Sequence, residues 1–193
     1  MARQATKEAD IVKLKVTLRG IRPPVWRRLL LPSAMTLRDL HDAIQTSMGW
    51  EDAHLHDFEI AGERFGDPTT TDDVINEARM ALDQICRAGF VRFKYTYDFG
   101  DNWEHLIVVE DTVARVEGQR YPACVAGKRA CPPEDSGGPY GYANLLAIRS
   151  DPSHPGHQEA SQWFGEDFNP DEFSVLEADA SVAARCCAAP ARR

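Results

Sequence analysis

Apolar and polar positions alternate most regularly over residues 90–113, where Val91, Phe93, Tyr95 and Tyr97 fall on one side and Arg92, Lys94 and Thr96 on the other. A period of two is that of a half-buried strand. The DFGDN stretch at 98–102 supplies turn formers, so the block is predicted to fold as a β-hairpin whose return strand starts near Trp103. Two shorter runs read the same way. IVKLKVTLRGI sets Ile11, Leu14, Val16 and Leu18 against basic residues with a one-residue slip in phase, and WRRLLLP follows the chain break at Pro23 and Pro24, which predicts an antiparallel pair. HLHDFEIAGERFG predicts a third strand with His54, His56, Phe58 and Ile60 on one face.

The period changes to that of a helix at Leu37, Leu40, Ile44 and Met48, with Thr36 and Asp39 in capping-box spacing and Gly49 as the stop. A second helix is predicted from a cap at Thr71 or Asp72 through Val74, Ile75, Ala78, Ala81, Leu82 and Ile85 to Gly89. After a strand near Tyr121, CVAGKRACPPEDSGGPYGY is too rich in Pro and Gly for a regular element and reads as an ordered loop. Two short helices, YANLLAIRS and HQEASQWFGE, and a packed segment from Phe168 follow. Beyond Asp179 no pattern is visible. The expectation is a single α+β domain over residues 1–179, an antiparallel or mixed sheet packed by several helices, with 180–193 as a flexible tail.

Composition narrows the classes. Apolar residues make up 43% and charged residues 27% of 193, with no apolar run near the roughly 20 residues that cross a bilayer, so no membrane span is expected. The N-terminal stretch lacks the apolar core of a signal peptide, which makes the cytoplasm the expected compartment. Five cysteines, Cys86, Cys124, Cys131, Cys186 and Cys187, then read as reduced thiols rather than a disulfide framework. The net charge of −8 is uneven: residues 1–50 hold nine Lys/Arg against four Asp/Glu, and the remainder is strongly acidic. Such a chain is a poor general nucleic-acid binder, although a basic strip of Lys13, Lys15, Arg19, Arg22, Arg27 and Arg28 could touch phosphate weakly.

Five stretches, PPVWRRLLLP, TLRDLHDAIQTSMGW, HLHDFEI, YTYDFGDNWEHLIVVE and CPPEDSGGPYGYANLL, occur in an order that resembles the plasmid pRiA open-reading-frame-three-like family over roughly residues 10–175. The resemblance implies a compact α+β domain with no established activity, in a family some of whose members are called transposon passenger or resolvase-like from genetic neighbourhood. No serine-nucleophile and arginine arrangement of a recombinase is visible here. Ser136 stands where the resemblance leads one to expect Cys.

The chemistry concentrates in two of these stretches. Asp98 and Asp101 flank the hairpin turn with His105 beyond it, and Glu134 and Asp135 lie in the Gly-rich loop. If the loop folds over the turn, Asp98, Asp101, His105, Glu134 and Asp135 could hold a divalent metal, since oxygen donors suit hard cations and an imidazole shifts the preference toward Mn, Fe or Zn. The plainer account is that these carboxylates cap the turn and the following helix. His54 and His56, two apart on one strand face, could with His105 form a three-histidine site, or could be ordinary strand residues. Cys124 and Cys131 lack the spacing of a zinc knuckle and read as packed thiols.

Three functions follow from this. The favoured one is a non-catalytic binding or adaptor domain whose acidic and aromatic groove, lined by Trp50, His56, Tyr95, Tyr97, Trp103 and Tyr140 with the carboxylates, receives a small ligand or protein segment. The others are a metal-dependent hydrolase or nuclease and a DNA-associated accessory protein of a mobile element.

Overall fold

A computed structural model of the chain describes residues 10–165 and 167–188. Eight strands form one sheet: β1 (Ile11–Leu18), β2 (Trp26–Pro32), β3 (His56–Ile60), β4 (Glu63–Gly66), β5 (Ile75–Asn76), β6 (Arg92–Tyr97), β7 (Trp103–Val113) and β8 (Ala123–Lys128). Their order across the sheet is β5-β4-β3-β6-β7-β1-β2-β8. Every pair is antiparallel except β4 with β5, so the sheet is mixed. Among the described residues five α-helices accompany it: α1 (Leu37–Met48), α2 (Leu82–Arg87), α3 (Gly138–Ser150), α4 (His157–Phe164) and α5 (Val175–Ala188). The α+β reading therefore holds.

Burial alternates along the central strands, as an antiparallel sheet with one packed and one wetted face requires. The packed face is set by register: Tyr95 sits opposite His105 and Tyr97 opposite Trp103, while Phe58 faces Tyr95 on the other side. Helix α1 lies on this face. Its capping box forms as Thr36 Oγ1 and Asp39 satisfy each other's amides, and Gly49 ends it with a φ of 87°. Leu37, Leu40, Ala43 and Ile44 are wholly buried, and each large apolar side chain so removed from water stabilises the fold by about 1.5–3 kcal/mol.

Three expectations are corrected. Residues 71–89 do not form one helix. Asp73 takes a φ of 55°, Ile75 pairs in parallel with Phe65, Glu77–Arg79 make a 3₁₀ turn, and only Leu82–Arg87 is α-helical. The extended backbone between them hydrogen-bonds the start of α1, with the Leu37 amide on the Met80 carbonyl and the Leu82 amide on that of Met35. These long-range bonds override a local helical period. Likewise the boundary at 179 falls inside α5, which packs on α1 and β8 with Val182 fully buried. The spacing of Val175, Ala178, Val182 and Cys186 is helical, but small residues made the stripe faint. Residues 189–193 lie outside the described residues. Part of the stretch read as loop is also regular, since β8 occupies Ala123–Lys128.

Candidate functional site

The Gly-rich loop does fold over the β6–β7 turn. Four bonds hold it: the Trp50 indole donates to the Pro132 carbonyl at 2.9 Å, the Glu51 amide to Glu134 Oε2 at 3.2 Å, the Gly137 amide to Asp101 Oδ2 at 2.9 Å, and the Tyr97 hydroxyl to Glu134 Oε1. Ser136 adds a bond within the loop, from its hydroxyl to the Pro133 carbonyl at 2.6 Å, so the position needs no thiol. The approach is close enough that a side chain at Gly138, whose φ is 67°, would collide with the Asp101 carbonyl. Asp98 in turn accepts from the Gly100 amide at 2.9 Å and holds the turn in which it takes a φ of 54°.

This clamp brings three donors together at the rim. His54 Nε2 lies 3.3 Å from Asp135 Oδ1 and 3.8 Å from Asp98 Oδ2, and one donor atom of each residue lies within 4.8 Å of the other two. Tetrahedral ligands with metal bonds of 2.0–2.2 Å stand about 3.4 Å apart, a spacing close to that of His54 from each of the two carboxylates. Asp135 is exposed and His54 half-buried, leaving the remaining positions open to water.

The other expected ligands are elsewhere. Asp101 and Glu134 spend their carboxylates on the clamp, as the bonds above show. His105 is fully buried on the packed face beside Tyr95 and Trp50, with ring centroids 5.3 and 5.4 Å away. Neither ring nitrogen makes a hydrogen bond of ordinary geometry, although the Tyr95 and Trp103 carbonyls favour its proton slightly; burial dominates and pushes its pKa down to about 3. A three-histidine site is thereby ruled out in this arrangement. The aromatic groove is also corrected: Trp50, Tyr95, Tyr97 and Trp103 are core residues, while Tyr140 is 88% exposed on α3. Their alternation on the strands was read properly, but the shared face is covered by α1 rather than open.

His56 belongs to a second constellation that the sequence reading missed. Its ring stacks on that of His41 with centroids 3.5 Å apart and planes 14° from parallel. His41 Nε2 donates to Asp52 Oδ1 at 2.8 Å, and its Nδ1 faces the Tyr95 hydroxyl at 2.8 Å, which accepts from Gln45 Nε2 at 2.9 Å. His56 Nε2 donates to Glu77 Oε2 at 2.9 Å, and Arg38 stands near both Glu77 and Asp52. Burial lowers the His41 pKa against the pull of Asp52; the Asp52 carboxyl, which burial alone would raise, is held low by His41 and Arg38. His41, Asp52 and His56 have donors close enough for an ion. Nearly parallel rings, however, cannot both aim in-plane lone pairs at one point. The Tyr95–His41–Asp52 relay resembles an activated hydroxyl, yet Tyr95 is completely buried and its pKa is raised by that burial, so no substrate reaches it. The readable signal was that His41 and Gln45 continue the apolar stripe of Leu37 and Met48 at helical spacing.

The cysteines and the basic strip resolve simply. Burial lifts the Cys124 thiol to about 11 and that of Cys131 to about 12, so both stay protonated. Arg27 is buried, Arg28 and Lys13 share Glu110, and Arg19 pairs with Glu104, so these positions do not form a free basic strip. No helix among the described residues is long and apolar enough to cross a membrane.

Comparison with known proteins agrees with this architecture. The family model described as plasmid pRiA4b ORF-3-like protein matches residues 10–177. The chain belongs to that family. A relative within reach is the uncharacterised protein y4hQ of Sinorhizobium fredii (strain NBRC 101917 / NGR234), 40% identical over 160 residues that cover 81% of this chain and 82% of the relative. Among solved structures, a protein of unknown function, MM3350 from Methanosarcina mazei Go1, superposes with a TM-score of 0.82 at 39% identity, covering 86% of this chain and 96% of that one.

Proposed function

We propose that this member of the pRiA4b ORF-3-like family is a non-catalytic binding domain whose ligand at the loop rim is a divalent transition-metal ion held by His54, Asp98 and Asp135. The observation that carries the reading is the convergence of one imidazole and two carboxylates at near-coordination spacing on backbone already fixed by the loop clamp. The mixed nitrogen and oxygen donor set suits Zn, Mn or Fe above Mg. Binding is favoured over hydrolysis because the one hydroxyl–carboxylate pair beside the rim, Tyr97 with Glu134, is tied up in the clamp with burial raising the Tyr97 pKa, and the aromatic residues that would line a substrate groove are in the core. The role of such a domain on a plasmid or mobile element would then be recognition through the loaded rim.

Thermal melts with Zn, Mn and Mg test this. An ion at a hundredfold excess over its Kd stabilises by about 2.7 kcal/mol. Zn or Mn is expected to raise the melting temperature of the wild type, and His54→Ala and Asp135→Asn are expected to abolish the shift while leaving the metal-free melt nearly unchanged. Absence of any shift in wild type would leave Asp98 and Asp135 as turn residues alone.

A further inference from the structure

A cavity of about 660 Å³ opens between the end of α1, the segment after β8 and the start of α5, a size typical of small-ligand pockets. Its floor is Arg27. The side chain is 1% exposed, lies with its guanidinium carbon 3.8 Å from the centre of the Phe173 ring, and donates from Nε to the Ser47 carbonyl at 2.8 Å and from Nη1 to the Trp26 and Lys128 carbonyls at 2.9 and 3.1 Å. All three acceptors are neutral. No carboxylate among the described residues pairs with Arg27, and its Nη2 has no hydrogen-bond partner among them. A guanidinium so placed has one nitrogen, Nη2, without a protein acceptor and a charge without a paired carboxylate, which an anion would compensate.

The mouth of the same cavity has the opposite sign. Asp167, Glu172 and Glu177 line it, are exposed, and form no ion pair among the described residues. A simple anion would be repelled on entry, whereas a simple cation would meet Arg27 at the floor. A molecule with both charges satisfies both ends. We infer that this cavity binds a small aminocarboxylate, with the carboxylate on Arg27 Nη2 and the ammonium group among the rim carboxylates. Phe173 holds the guanidinium plane in place, and Gly127 permits it, since any side chain there would collide with the Phe173 ring.

Titration calorimetry on the full chain decides it, using glycine, γ-aminobutyrate and ε-aminocaproate, which differ in the spacing of their charges, against hexanoate and pentylamine. At least one aminocarboxylate should bind roughly tenfold or more tighter than either single-charge probe, because a hydrogen bond to a charged group contributes about that much. The surface variant Glu172→Gln with Glu177→Gln, which leaves the core untouched, should reduce that probe to the level of hexanoate. Arg27→Gln should abolish it, with folding checked by circular dichroism. If no aminocarboxylate outbinds the single-charge probes, or if the rim variant binds as tightly as wild type, the assignment fails and Arg27 is a structural arginine only.

Discussion

Replacing His105 by phenylalanine swaps a buried, hydrogen-bond-poor imidazole for an apolar ring, and the consequence is readable against pH. In the unfolded chain the imidazole takes up a proton near pH 6.5, whereas burial between Tyr95 and Trp50 holds the folded value at about 3. Between those values the unfolded state binds one more proton than the native state. The native state is therefore favoured in full above pH 6.5 and loses about 1.4 kcal/mol for each unit of acidification below it, until the folded group titrates near pH 3. From pH 7 to pH 5 this single group costs the wild type about 2 kcal/mol. His41, also lowered by burial, remains in both proteins and cancels. Urea unfolding at pH 7 and pH 5 should show the variant losing about 2 kcal/mol less than wild type over that interval, whatever packing offset the extra ring volume adds at both values. Identical pH dependence in the two proteins would mean that His105 is not a buried neutral group.

Other expectations follow from the same packed face. Tyr95→Phe strands the His41 and Gln45 nitrogens that its hydroxyl serves, and should cost about 2 kcal/mol in chemical denaturation while leaving rim metal binding intact. Ending the chain at Asp179 removes Val182 from its fully buried position between α5 and its neighbours, and should destabilise by at least about 2 kcal/mol; a truncated protein as stable as wild type would restore the idea of a dispensable tail.

Helix α1 and the β6–β7 hairpin were legible because their signals are local. Leu40, Ile44 and Phe93 are buried where period alone places them, and the hairpin occupies the middle of the sheet. The fold-over of the loop was raised only as the condition under which the two acidic motifs could share a site, since neither alone offers enough groups. Which groups meet was not, because His54 reaches Asp98 and Asp135 through contacts between segments far apart in sequence, and nothing local distinguishes it from His56 two residues on. The His41 and His56 stack was hidden for a related reason. Glu77 enters from the 3₁₀ turn before Met80, whose carbonyl bonds the start of α1, a tertiary arrangement that a helical period at 71–89 argued against, and Asp52 enters from the far end of α1, beyond Gly49.

The two ends of the sheet bear on how copies of this protein meet in concentrated solution. An open eight-stranded sheet is a template for an incoming extended chain wherever a long ladder of amides and carbonyls is left unpaired. Here the β5 end offers only the two residues Ile75–Asn76. At the β8 end the Cys124 amide is already taken by Asp179 and the Ala130 amide by the Pro170 carbonyl, with α5 packed alongside. Intermolecular strand addition therefore meets a two-residue strand at one margin and, at the other, a strand against which α5 packs, so that the C-terminal helix shields that edge as well as burying Val182.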